Sequence, residues 1–370
     1  MGRWWSGAIV GVGGGVATAA PAPAVERHGG PGVRAAAAYP RPMATLDRRS
    51  DRPRPTGSLV PSRRPRGLRA VVLGDLALDV VLAPTRPLEH GTDVPGVVRL
   101  HQGGSAANTA RWLTRLGVPT TLICAVGRDG PGRALVAALE REGVTVRAAR
   151  PAAARTARIG MLVDADGDRS FVADRGAADL LGPGDVRPAW FAGAVALHLP
   201  AYSLLGSPLA DAAGRAIELA RAAGATITVD LASAAPLLAA GRSATQRLIR
   251  DAAPDLLFAN AAEASAFLGD ASLVGLLAFA PVAVVKQGSH GAAVLARRPR
   301  LPIERFEVAA RAVTAADTTG AGDAFDAGFL AAWLAAGRST APGDLRRAVV
   351  AGHRAAARQI GAPRPELGLG

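Results

Sequence analysis

Asp317-Thr318-Thr319-Gly320-Ala321-Gly322-Asp323 is the stretch of this 370-residue chain whose residue types and spacing are best suited to chemistry. It stands just before a run in which Phe325, Phe329, Ala332, Trp333 and Ala336 recur at i, i+4, i+7, i+8 and i+11, one apolar stripe at the helical period. Gly320, Ala321 and Gly322 are therefore expected to open that helix. Their free backbone N–H groups, added to the positive end of the helix dipole, make a seat for a phosphate or a developing negative charge. Asp323 falls in the first turn, beside that seat. A carboxylate so placed can take a proton from a hydroxyl while the amides hold the group that the hydroxyl attacks, which is the chemistry of phosphoryl transfer to an alcohol. Plain helix capping would use the same residues, so the rest of the chain has to decide.

The elements that would position this stretch follow from the apolar pattern. A short strand at 70–74 continues into 76–82, and an extended segment at 91–102 ends at Gly103-Gly104. A helix from Ala106 stops at Gly117, and a strand at 120–126 and a helix at 131–142 follow. Residues 156–164 and 169–174 read as a hairpin with polar alternation. From 194 the rhythm is regular: strands at 194–199, 225–231, 255–259 and 281–286 alternate with helices at 207–223, 243–252 and 261–268. Such alternation implies a parallel sheet covered by helices on both faces. Short strands at 292–296 and 303–308 precede two closing helices at 321–336 and 342–360. In an open α/β sheet ligands sit at the carboxyl ends of the strands, so the loops after 74–82, 199, 230, 259, 286 and 316 are expected to meet in one crevice.

Composition bounds the alternatives. Hydrophobic content of 49% suits a globular protein, and no stretch reaches about 18 consecutive apolar residues, so no membrane-spanning helix is expected. A single cysteine, Cys124, excludes an intramolecular disulfide and fits a reducing, cytoplasmic setting. The six histidines show no ligand spacing and there is no zinc signature. Net charge is +13, of which residues 1–69 hold +9 through 12 arginines against Glu26, Asp47 and Asp51, leaving +4 for the remainder. The basic excess thus belongs mostly to an N-terminal extension, and with no aromatic interleaving or readable motif no nucleic-acid partner is expected. Residues 1–67 are rich in Pro, Gly, Ala and Arg without periodicity and are expected to be a disordered extension. Their first segment has weak likenesses to a signal peptide and to a dinucleotide loop at Gly11 to Gly15, but no βαβ unit follows those glycines. The plainer reading is an untidy extension, with Met43 as a later candidate start.

Over roughly residues 69–362 the chain resembles the PfkB/ribokinase family of ATP-dependent carbohydrate and nucleoside kinases. Gln102-Gly103-Gly104-Ser105-Ala106-Ala107-Asn108-Thr109-Ala110, running on to Leu116-Gly117, is similar to the family's first signature. Asp317 to Asp323, continuing through Ala324-Phe325-Asp326-Ala327-Gly328, is similar to the second. Between them Asn260-Ala261-Ala262-Glu263 matches an Asn-x-x-Glu motif, and Lys286-Gln287-Gly288-Ser289-His290-Gly291 resembles a nucleotide-binding turn. Each piece is short, but four in this order are specific.

The resemblance implies a ribokinase-like three-layer α/β/α domain over 68–365, with a mostly parallel central sheet and a small β lid made from about 75–102 and 156–175. It implies Asp323 as catalytic base and Gly320, Ala321 and Gly322 as the anion hole. Asp79, Gly103, Gly104 and Asn108 would line the acceptor pocket, while Asn260, Lys286, Gly288, Gly291 and Thr318 would serve ATP. Glu263 would organise Mg²⁺, commonly through water; its plainer role is a carboxylate in the first turn of a helix. Asp75 is expected either at the acceptor or as a turn cap. The implied activity is transfer of the γ-phosphoryl group of ATP to a hydroxyl of a small sugar. A nucleoside kinase on the same fold is the alternative, and a non-catalytic sugar or nucleotide sensor is the competing class. Related proteins often pair through the small β element, so a homodimer through the lid belongs to the same expectation. Two departures stand out. Asp174-Arg175-Gly176-Ala177-Ala178 has alanine where the family often has asparagine, and Gly352-His353 stands near the place where many sugar kinases carry an asparagine beside adenine.

Overall fold

A computed structural model describes residues 67–164, 169–239, 241–269, 272–314 and 317–368. The expected extension over 1–67 therefore lies, but for Gly67, outside the described residues, which all belong to one compact unit, Ser58–Gly370. The strands, in chain order, are β1 (Ala70–Leu73), β2 (Ala77–Pro84), β3 (Gly96–Gly103), β4 (Thr120–Ala125), β5 (Thr145–Ala149), β6 (Ala157–Val163), β7 (Arg169–Asp174), β8 (Ala196–Pro200), β9 (Thr226–Asp230), β10 (Leu256–Asn260), β11 (Val282–Lys286), β12 (Ala292–Ala296) and β13 (Glu304–Val308). The helices are α1 (Ser105–Arg115), α2 (Gly130–Arg141), α3 (Leu209–Ala222), α4 (Ala234–Ala239), α5 (Arg242–Ala252), α6 (Ala261–Leu268), α7 (Ala321–Ala335) and α8 (Pro342–Ile360).

Nine strands form one sheet in the order β13-β12-β11-β10-β9-β8-β1-β4-β5. From β5 to β11 every pairing is parallel, and β12 and β13 add an antiparallel edge. Alternate residues of one strand feed different layers, as a period of two requires. Val72 of β1 joins Leu113 of α1 and Phe329 of α7, whereas Val71 and Leu73 join Ile217 of α3 and Phe267 of α6. Helices α1, α2, α7 and α8 thus cover one face and α3 to α6 the other, which is the expected three-layer arrangement. Helices α7 and α8 approach closely because Gly328 and Gly352 carry no side chain: a Cβ on Gly328 would stand 2.6 Å from the Ala351 carbonyl oxygen.

Four strands form a second sheet in the order β3-β2-β6-β7. Here the structure departs from the continuous strand expected over 70–82. The run breaks at Gly74-Asp75-Leu76, so that β1 enters the large sheet and β2 the small one. Asp75 accounts for the break. Its carbonyl accepts from the Ala107 N–H at 3.2 Å, and its carboxylate accepts from the Ala106 N–H at 3.2 Å and from the Tyr202 hydroxyl at 2.6 Å. It caps the start of α1, 31 residues further on, satisfying amides the helix cannot, a role different from the local turn cap expected of it. Pairing of β6 with β7 confirms the hairpin. Strand β5 and helix α4 were not anticipated; β5 is an edge strand with exposed positions, and α4 is a single short run containing a proline.

Candidate active site

The carboxyl ends of β1, β8, β9, β10 and β11 bring Asp75, Tyr202, Asp230, Asn260 and Lys286 to one side of the large sheet, and α7 starts there. Gly320 precedes α7 with φ of +75°, a left-handed conformation that glycine adopts without strain, and a Cβ on it would lie 3.3 Å from Asn108 Nδ2. Asp323 follows in the first turn. Its Oδ1 accepts from the Ser105 hydroxyl at 2.7 Å and its Oδ2 from Asn108 Nδ2 at 2.9 Å. Both donors come from α1, so the two glycine-containing motifs, far apart in sequence, meet through the carboxylate. Burial pushes the Asp323 carboxyl up to about 6, against the two hydrogen bonds, which favour the charged form. Of the three residues proposed as the anion seat, Ala321 already directs its N–H at Thr318 O, 3.3 Å away.

Beneath this turn lies a buried charge cluster. Lys286 Nζ is 3.1 Å from Asp230 Oδ2 and 2.9 Å from Asp326 Oδ2, and 3.4 Å from where a Cβ on Gly322 would stand. Burial opposes the Lys286 charge, but Asp230, Asp326 and Glu263 more than offset it and hold the ammonium above its ordinary range. Burial, followed by the negative charge of Asp230, keeps Asp326 well above the usual carboxylate range, while Lys286 overcomes burial at Asp230 and keeps that group low. The cluster ties β9, β11 and α7 together. The ammonium expected to serve ATP is thus held by two carboxylates.

Asn260 and Glu263 form a capping box at the start of α6. Asn260 Oδ1 accepts from the Glu263 N–H at 2.8 Å, Glu263 Oε2 accepts from the Asn260 N–H at 2.8 Å, and Glu263 Oε1 accepts from Asn260 Nδ2 at 2.7 Å. The plainer expectation for Glu263 is therefore met in full. Burial, then the nearby Asp230 charge, pushes the Glu263 carboxyl up to about 7. An open cleft of about 670 Å³ runs past this box, lined by Asn260, Ala262, Lys286, Gly288, His290 and Glu307. Among the described residues no group of three or more His, Cys, Asp or Glu side chains forms a metal cage.

The acceptor candidates come from β2, β3 and the start of α1. Gly103 presses against Asp79, since a Cβ there would fall 1.9 Å from Asp79 Oδ1. Asp79 Oδ2 accepts from Arg364 Nη1 at 2.7 Å, and Arg364 Nε also donates to Asp317 Oδ2 at 2.8 Å. Burial raises the Asp79 carboxyl, with Arg364 pulling the other way. From β7, Arg169 Nη1 donates to Thr318 Oγ1 at 2.5 Å, so the small sheet reaches the turn before α7. Arg175 lies 3.9 Å from Asp75 and stacks over the Tyr202 ring at 4.4 Å. Gln359 Nε2 holds Thr319 O at 2.9 Å. His353 packs on Phe325 with ring centroids 5.4 Å apart.

Ser105, Arg169, Asp230, Asp326 and Arg364 were not singled out from the sequence. Ser105 and Asp326 lie inside the two signatures, and a charged residue ending the buried β9 was a readable signal for Asp230. Arg364 had none, because its partners are 285 and 47 residues away.

The family model for pfkB family carbohydrate kinases matches residues 68–366. An ATP-dependent ribose-1-phosphate kinase of Halopiger xanaduensis is 33% identical over 287 residues, covering 76% of this chain and 88% of the relative. A fructokinase of Klebsiella pneumoniae is 32% identical over 276 residues, covering 72% and 84%. The crystal structure of adenosine kinase from Sinorhizobium meliloti superposes with a TM-score of 0.69 at 27% identity, covering 82% of this chain and 97% of that one. With its two signatures joined at Asp323 on a ribokinase-like sheet, the chain belongs to the pfkB family of carbohydrate kinases, ATP-dependent phosphotransferases with a hydroxyl acceptor.

Proposed function

We propose that the protein transfers the γ-phosphoryl group of ATP to a hydroxyl of a small sugar, with Asp323 taking the hydroxyl proton. The observation that carries this reading is the placement of Asp323. It sits in the first turn of α7, oriented by Ser105 and Asn108 and poised at about 6, so that it is mostly ionised at neutral pH yet basic enough to accept a proton. The acceptor oxygen attacks the γ-phosphorus, its proton passes to Asp323, and the bond to the β–γ bridging oxygen breaks to release ADP. Gly320 and Gly322, with the helix dipole, stabilise the charge on the transferred group. Lys286 acts from beneath the turn, through its place under Gly322.

Asn260 and Gly288 are assigned to ATP along the 670 Å³ cleft, with Gly291, which packs against the Val308 carbonyl oxygen, ending the same turn and Thr318 at the turn before α7. Mg²⁺ suits the hard oxygen of Glu263. Because both oxygens of that carboxylate already accept hydrogen bonds from Asn260, Glu263 would hold the ion through water, and Mg²⁺ commonly keeps several waters. When bound, Mg²⁺ neutralises phosphate charge. Asp79, Gly103, Gly104 and Asn108 are assigned to the acceptor, under a lid formed by the small sheet that excludes water from the transfer. The outer face of that sheet exposes Leu82, Val98 and Val172, which supports pairing of two copies through the lid. Among the described residues no helix is long and apolar enough to cross a membrane, in keeping with the proposed cytoplasmic setting.

An ADP-release assay of the full chain against ribose, fructose, ribose 1-phosphate and adenosine tests the reading. Highest kcat/KM on a sugar supports it, and highest kcat/KM on adenosine moves the acceptor to the nucleoside class. No release above background on any of them overturns it.

A further inference from the structure

The 670 Å³ cleft assigned to ATP has in its wall a carboxylate that the phosphates of a nucleotide would repel, that of Glu307 on β13. Phe306 packs into the layer of α1, α2, α7 and α8, so with a period of two Glu307 turns to the other side of the sheet, where α6 starts. Its cross-strand neighbour is Ala293, which offers no polar side chain. Glu304, on the same strand, pairs with Arg298 at 3.2 Å, but the Glu307 carboxylate has no hydrogen bond or ion pair among the described residues. Only its main chain is engaged, the carbonyl accepting from Arg346 Nη1 at 3.4 Å. The turn from Gln287 to Gly291 packs on the end of this strand, since a Cβ on Gly291 would collide with Val308 O. An exposed acid with no partner is thus held beside the nucleotide-binding turn.

Strand register places that acid along the cleft. Asn260 aligns with Lys286, Lys286 with Ala292, and Ala292 with Val308. With neighbouring strands about 4.8 Å apart, β13 runs roughly 10 Å from β11, across β12. Lys286, at the end of β11, stands under the start of α7, to which the transferred phosphoryl group is assigned. That separation is comparable to the reach from a γ-phosphate to the sugar of the same nucleotide. Repulsion between carboxylate and phosphates favours the same orientation, with the phosphates at Lys286 and the nucleoside at β13. An ionised carboxylate only accepts hydrogen bonds, through two oxygens side by side, and a ribose offers two adjacent hydroxyl donors. We propose that Glu307 binds the ribose 2′- and 3′-hydroxyls of the nucleotide and so makes the protein prefer ribonucleotides to 2′-deoxyribonucleotides as phosphoryl donors. This selectivity rests on the kinase reading, because it needs ATP in that cleft.

Calorimetric titration of ATP, 2′-deoxyATP and inosine 5′-triphosphate, each with Mg²⁺, into the full chain and into Glu307→Ala tests it. The wild type is expected to bind 2′-deoxyATP about tenfold more weakly than ATP, the effect of one charge-assisted hydrogen bond at an open site. Inosine triphosphate, which has a carbonyl in place of the adenine amino group and keeps the ribose, is expected to bind like ATP. Glu307→Ala is expected to bind ATP and 2′-deoxyATP alike. Equal affinity of the wild type for ATP and 2′-deoxyATP overturns the proposal, and so does a preference that persists in Glu307→Ala, because another group would then hold the ribose. Weaker binding of inosine triphosphate with none of 2′-deoxyATP would move Glu307 to the base, and overturns it as well. No saturable binding of any nucleotide overturns the kinase reading and this selectivity together, whereas ATP binding without discrimination overturns the selectivity and leaves the kinase reading standing.

Discussion

The two sheets of this protein are built to different standards. In the nine-stranded sheet Val282 to Val285 of β11 are at most 1% exposed and sit between two helical layers. In the four-stranded sheet Phe171 and Val172 of β7 are 58% and 77% exposed. The large sheet presents its site residues, Asp230, Asn260 and Lys286, from strand ends locked by packing and by a buried ion cluster. The small sheet meets the site through longer-range ion pairs, Asp79 with Arg364 and Arg169 with Asp317. On the proposed reading, chemistry that tolerates little displacement falls to the large sheet, and acceptor recognition to the small sheet, whose β7 is largely exposed.

The sharpest test of that division is Asp323→Asn. It removes the proposed base beside the large sheet and is expected to cut kcat by about 10²–10⁴-fold with ATP affinity kept. A folded variant with near wild-type turnover would take Asp323 out of the mechanism. The same substitution carries a sign for stability. Burial raises the Asp323 pKa to about 6 from its ordinary 3.8, so the stability it contributes is present below 3.8 and is lost as pH rises through about 6. Asp323→Asn is therefore expected to melt no lower than the wild type at neutral pH, as thermal unfolding would show.

Packing in the two regions can be compared directly. Phe329 of α7, at 0% exposure, contacts Phe258 of β10 edge to face at 5.4 Å. Phe329→Ala is expected to cost about 3–5 kcal/mol in urea unfolding, whereas Phe171→Ala on the small sheet should stay within roughly 0.5 kcal/mol. Equal costs would erase the contrast between the sheets.

Asn108→Ala sharpens the boundary between them, because Asn108 is assigned to the acceptor yet also donates to Asp323. Losing one buried hydrogen-bond partner of a substrate hydroxyl is expected to raise the acceptor KM by about 5- to 150-fold with little effect on the KM for ATP. A change confined to the KM for ATP would reverse the assignment.

The smallest effect expected is in pH dependence. As the base works only when ionised, log kcat is expected to fall with unit slope as pH drops below about 6. In Asn108→Ala the lost hydrogen bond no longer favours the charged form, so that limb should move upward. A limb that stays in place would show that another group titrates.

Much of this architecture was legible in the residues. Strands of consecutive apolar residues alternating with amphipathic helices determined the three-layer domain, and α6, α8 and β12 coincide with the expected spans. The glycine-flanked start of α7 and the Asn-x-x-Glu capping box were also readable, because helix starts depend on a few adjacent residues. Three features depended on the tertiary structure: the split of the first apolar run between two sheets at Asp75, the capture of Lys286 by Asp230 and Asp326, and the bridge from Arg364 to Asp79 and Asp317. Each is a contact between residues 31 to 285 positions apart. Local pattern is set by hydrogen bonding and burial within a few residues, so one chain displays it; the partner of a buried charge is set by which loops the sheet brings together, and that exists only once the sheet has formed.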